Sequence, residues 1–158
     1  MKSAFQSRST ELTPQQQVIQ VASAQSVHRA FEWFGLHELK LRELQMEVAA
    51  IPAPPFGEQK RAEWLRERFA ELELQNAEVD EIGNVIALRA GGPGRESSTR
   101  PGPKAVAVTA HLDTVFPQGT NVRPSQDRDK LYGPGISDNA AGITALLALA
   151  SALRHERI

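Results

Sequence analysis

The stretch that most constrains the fold is AVAVTAHLD, residues 105–113. An apolar, β-branched run without polar alternation predicts a strand from Lys104 to Ala110 that is buried on both faces, as in a parallel sheet covered by helices. The run stops abruptly at His111-Leu112-Asp113. Residues two apart in an extended chain face the same way, so His111 and Asp113 point together. The C-terminal edge of an open α/β sheet is where ligands bind. A neutral imidazole is a good zinc ligand, and a neighbouring carboxylate can hold its other nitrogen, fix its tautomer and raise its basicity. The plain alternative is a histidine that merely satisfies its own hydrogen bonds, because a three-residue motif recurs by chance.

A second stretch adds specificity. In YGPGISDNAAG, residues 132–142, Gly133 and Gly135 allow a tight turn and close backbone approach, and Asp138 stands where a helix N-cap would stand. A phosphate-binding glycine loop is the rival reading. However, the third glycine of that pattern is replaced here by an acid, which would repel a pyrophosphate at a helix N-terminus. The pattern favours a cation. Asp138 follows Asp113 by 25 residues, enough for a loop and a return to the same edge. A carboxylate placed there can bridge two metal ions. The chain has no cysteine, so a metal must take histidine and carboxylate ligands, a donor set that suits zinc, with cobalt or manganese possible.

The remaining chain reads as helices around strands. Thr13-Pro14 opens a helix that Gly35 can end, and a second helix runs from about Leu36 to Ala50, stopping before Pro52. Ala62, Leu65, Phe69 and Leu72 line one face of a third. Residues 77–81 and 84–88 have the period of two expected of short strands, 91–103 is a loop by composition, and 117–124 is another loop. An almost entirely apolar helix follows Asp138; Ala140 to Leu153 is too short to span a bilayer and reads as buried. This order points to an α/β layered domain. A net charge of −1 supplies no basic field for nucleic acid or an anionic membrane. The N-terminus shows no signal-peptide pattern, and the expectation is a cytoplasmic protein.

HLDTVFP (111–117) and LYGPGISDNAAGITALLALASAL (131–153) closely resemble the zinc aminopeptidase, dipeptidase, deacylase and carboxypeptidase family, which includes peptidase T-like tripeptidases, aminoacylases, acetylornithine deacetylase and glutamate carboxypeptidases. IPAPPFGE (51–58) and DEIGNVIALRAG (80–91) agree more weakly. The resemblance covers residues 36–158, leaving 1–35 as a helical extension. It implies a three-layer α/β/α sandwich with a mostly parallel mixed sheet, shortened at its C-terminal side. It also implies that His111 binds one zinc, that Asp113 orients and polarises His111 as a catalytic residue, that Asp138 bridges two zincs, and that the Asp138–Asn139 peptide is cis.

The departures matter equally. The family carries a Glu-Glu pair, its general base and a zinc ligand, and this chain contains none. A later carboxylate, a distal histidine and an inserted domain are absent as well. His28, His37 and His155 belong to helices and are read as surface or core residues. The expectation is the N-terminal portion of a di-zinc hydrolase of peptide or N-acyl amino acid amides, inactive by itself, with a truncated edge that an oligomer or partner covers. The alternative is a non-catalytic binding or regulatory module.

Overall fold

The computed structural model describes residues 12–91 and 105–158. The elements run α1 (Pro14–Ala22), α2 (Gln25–Leu36), α3 (Glu38–Ala49), α4 (Gln59–Glu71), β1 (Gln75–Val79), β2 (Val85–Leu88), β3 (Ser125–Asp127), β4 (Lys130–Tyr132) and α5 (Gly142–His155). The α1 helix begins with a reciprocal cap: the Thr13 hydroxyl accepts from the Gln16 amide, and the Gln16 side chain accepts from the Thr13 amide. The single N-terminal helix expected from the sequence is broken at Ser23-Ala24, and Gly35 lies inside α2 instead of ending it. In α2 only Ala30 is buried, and Arg29 pairs with Glu156 beyond α5.

The core is built by α3, α4 and α5. Val48 and Ala49 of α3 meet Leu65 and Phe69 of α4, with Ile136, Ala140, Ile143 and Leu147 closing the cluster. Three of the four apolar positions expected on α4, Ala62, Leu65 and Phe69, are buried. Ala110 and Leu112 pack against this cluster from the extended segment. The longer run Ile136–His155, which extends the Ala140–Leu153 stretch at both ends, is long and apolar enough by length and composition to cross a membrane. Its first residues form an irregular turn and its Ile143–Leu147 face lies in the core, so one face of the helix is buried and the rest is not.

The sheet differs from expectation. β1 and β2 form an antiparallel hairpin, with an irregularity between Gln75 and Glu78. Its turn is held by Asp80, whose carboxylate accepts from the Ile82 and Asn84 amides. The loop expected before Gly133 contains a second antiparallel hairpin, β3–β4. The two hairpins are separate two-stranded sheets, so the described residues do not form the parallel sheet of a three-layer sandwich. Residues 105–110 form no ladder, and Val106 and Val108 are 90% and 54% exposed, so the strand expected to be buried on both faces is uncovered. A strand is defined by a hydrogen-bonded neighbour, and no described segment pairs with this one. Lys104 and nearly all of the 91–103 loop lie outside the described residues.

Candidate metal site

Three backbone segments meet at the end of the unpaired run. Leu112 packs against the core while His111 and Asp113 emerge on the other side, the alternation expected of extended chain. Thr114 is buried, its amide donating to the Ala53 carbonyl at 2.8 Å and its hydroxyl to the same oxygen at 3.2 Å. This joins the Pro52–Pro55 connector to the segment bearing His111. The third segment is the turn before α5. Gly135 has φ +72°, and a Cβ there would lie 2.9 Å from the Thr114 methyl, so glycine is required both for the backbone and for the close approach. Gln45 of α3 fixes this turn by donating to the Ile136 carbonyl at 2.8 Å.

The turn delivers Asp138 to His111. The Asp138–Asn139 peptide is cis, the isomer implied by the resemblance. Asp138 does not cap α5, the plain alternative to a cation site: its φ and ψ of −120° and 91° are non-helical, and Ala141 precedes the helix with no side-chain cap. Its carboxylate turns instead to the imidazole, with His111 Nε2 2.8 Å from Asp138 Oδ1. On the opposite side of the ring, His111 Nδ1 lies 3.1 Å from Asp113 Oδ1 and 3.0 Å from the Asp113 carbonyl. Asn139 completes the arrangement by donating from Nδ2 to the His111 carbonyl at 3.2 Å.

Both ring nitrogens therefore face acceptors, and only the doubly protonated imidazolium can donate to both. Desolvation is the largest influence on His111 and acts downward, but the hydrogen bonds and charges of Asp138 and Asp113 outweigh it and raise the pKa above its ordinary value. The site is open: the His111 and Asp113 side chains are about half exposed, and Asp138 is 79% exposed.

The donors suit part of a zinc site. Two ligands on one tetrahedral zinc sit roughly 3.4 Å apart, given bonds of about 2.0–2.2 Å. The 2.8 Å separation of Nε2 and Oδ1 is within a small side-chain adjustment of that spacing. Asp113 occupies the outer position that fixes tautomer and ring orientation. A third donor is missing: among the described residues no group of three or more histidine, aspartate or glutamate side chains is arranged to hold a metal ion. His37 stacks on Trp33 at 4.0 Å and bonds its carbonyl, while His28 belongs to α2 and His155 to the end of α5, so none joins the site.

Arg61 was missed in the sequence. It is fully buried and donates from Nη1 to the Leu112 carbonyl at 2.8 Å and from Nη2 to the Ile51 carbonyl. It stands beside Ala62 in a strongly charged helix, and the only available signal was that its spacing from Leu65 places it on the apolar side.

Residues 84–158 match Peptidase family M28. The chain is also similar to a LysW-lysine hydrolase of Deinococcus radiodurans, with 32% identity over 117 residues, covering 74% of this chain and 29% of that protein. The chain thus spans less than a third of the length of that relative. The two likenesses support a place in the M28 zinc peptidase and hydrolase superfamily, and do not single out any of the narrower families resembled by the motifs.

Proposed function

We propose that residues 105–142 form the metal-holding part of an M28-type zinc hydrolase that cleaves peptide or N-acyl amino acid amide bonds. The observation that carries this reading is the imidazole of His111 held between two carboxylates, Asp113 on Nδ1 and Asp138 on Nε2. His111 and Asp138 are the proposed zinc ligands; Asp113 keeps Nδ1 protonated so that the Nε2 lone pair faces the ion. The exposed Asp138 carboxylate has two oxygens with which to face two ions. Bound zinc supplies Lewis acidity toward an amide carbonyl and a more acidic water. Cobalt or manganese suits the same donor types.

This chain's own residues bind and orient. The sequence has no Glu-Glu pair to supply the family's proton shuttle. With two protein ligands in place of the usual three, residues 1–158 hold zinc weakly and do not turn over substrate by themselves. The alternative reading is a non-catalytic binding or regulatory module.

Cobalt absorption tests the site. Titration of the 158-residue chain with Co²⁺ is expected to give ligand-field bands that disappear in His111→Ala and Asp138→Asn. Identical spectra in all three proteins would refute it. An assay on short peptides and N-acetyl amino acids, with and without EDTA, is expected to show no chelator-sensitive hydrolysis by this chain. Robust hydrolysis would show that these residues suffice for catalysis and would eliminate the module reading.

A further inference from the structure

We infer that Arg61 is a positioning residue for the His111–Asp113 pair, its guanidinium clamping the backbone between the two to Ile51, the residue before the Pro52–Pro55 connector. This rests on the reading of His111 and Asp138 as metal ligands. Arg61 leaves α4 and is 0% exposed, the largest of the fully buried side chains. Its Nη1 donates to Leu112 O, the carbonyl lying between His111 and Asp113, and its Nη2 donates to Ile51 O. Its Nε is buried and makes no hydrogen bond among the described residues.

A buried guanidinium without a carboxylate in contact is an expensive way to fill space. An apolar side chain of similar volume would pack without the desolvation cost. The charge and the fork must therefore do something that packing cannot. In an ordinary sheet a neighbouring strand would hold the Leu112 carbonyl, but residues 105–114 have no such neighbour among the described residues. Side chains and one loop contact take its place. Asn139 holds the His111 carbonyl, Arg61 holds the Leu112 carbonyl, and Ala53 receives the Thr114 amide. Of the three, Arg61 alone holds two backbone carbonyls, Leu112 and Ile51, with one rigid planar fork, which a lysine cannot reproduce. The environment agrees: burial lowers the Arg61 pKa, and the Asp113 charge opposes that shift, so cation and carboxylate sense each other.

Arg61→Lys and Arg61→Met, each in the full 158-residue chain, test this with two readouts. The first is metal-free: amide hydrogen exchange at Thr114, compared with Leu147 in the core helix. The expected result is at least about tenfold faster exchange at Thr114 with Leu147 unchanged. The second is zinc affinity, expected to fall about 10–100-fold, the usual cost of losing an orienting partner. Wild-type values of both in Arg61→Lys would overturn the inference. Equal loss of protection at Thr114 and Leu147 would also overturn it, since that is general destabilisation. If Arg61→Met does not fold, Arg61→Lys decides. A wild-type chain that protects Thr114 but binds no zinc would defeat the metal reading, while the Thr114 comparison would still decide whether Arg61 clamps the segment.

Discussion

His111 links local geometry to pH. Its pKa is raised in the folded chain by Asp138 and Asp113 against the downward pull of desolvation. A raised folded value means that the imidazolium stabilises the fold fully below the ordinary histidine pKa of about 6.5, and that this contribution is lost as pH climbs through the folded value. The melting temperature of the metal-free protein should therefore exceed that of His111→Asn at acidic pH, with the gap closing above neutrality. A pH-independent gap would contradict this. The effect is small because the ring is half exposed. At the same scale, a Cβ at Gly142 would lie 1.9 Å from Asn139 Oδ1. Gly142→Ala should displace the Asn139 side chain and free the His111 carbonyl. It also gains roughly 1 kcal/mol of helix propensity, so global stability in urea should hold while zinc affinity falls. Unchanged affinity would show that the Asn139 contact is dispensable. The residues of the site were legible because His-x-Asp carries its own geometry in extended chain. Arg61 was barely legible: only its spacing from Leu65 sets it apart from Arg66 and Arg68, the half-buried arginines of the same helix.

Elements were legible where short-range chemistry decides them. Pro52 and apolar spacing predicted α3 and α4 closely, and the period of two predicted the β1 and β2 strands. Asp138 was read toward a cation, with a plain helix cap as the alternative, and the cap does not form. Here a non-helical backbone turns the side chain away to His111. The strand expected at 104–110 failed for another reason. β character in AVAVTA is a property of the residues, but a strand also needs a neighbour, which local sequence cannot guarantee. The α1 helix illustrates the converse. It has a complete capping box and buries no residue, so its order depends on its cap. Thr13→Ala should cost about 1 kcal/mol locally. Amide exchange should rise in residues 14–22 with the global melting temperature unchanged, and a cooperative loss of stability would show that α1 is part of the core.

On the scale of the molecule, one apolar cluster joins α3, α4, the irregular turn and α5, and the candidate site sits at its margin. Apolar side chains stay exposed on the N-terminal helices, as at Ile19, Phe31 and Leu36, and on the extended segments as well. Val106, Val108, Ile86 and Leu88 are all exposed. Uncovered apolar chain with unpaired backbone invites association. We expect the 158-residue chain to self-associate with rising concentration in sedimentation velocity, and the Val106→Lys/Val108→Lys double variant to do so less. Equal behaviour of the two would place the association surface elsewhere.

Zinc binding to the 158-residue chain, measured by isothermal titration calorimetry in two buffers of different ionisation enthalpy, tests the central claim most directly. A zinc ion at His111 Nε2 must displace the proton that Nε2 shares with Asp138. The account predicts weak binding accompanied by proton release, abolished in Asp138→Asn. Binding without proton release, or of equal strength in that variant, would contradict it.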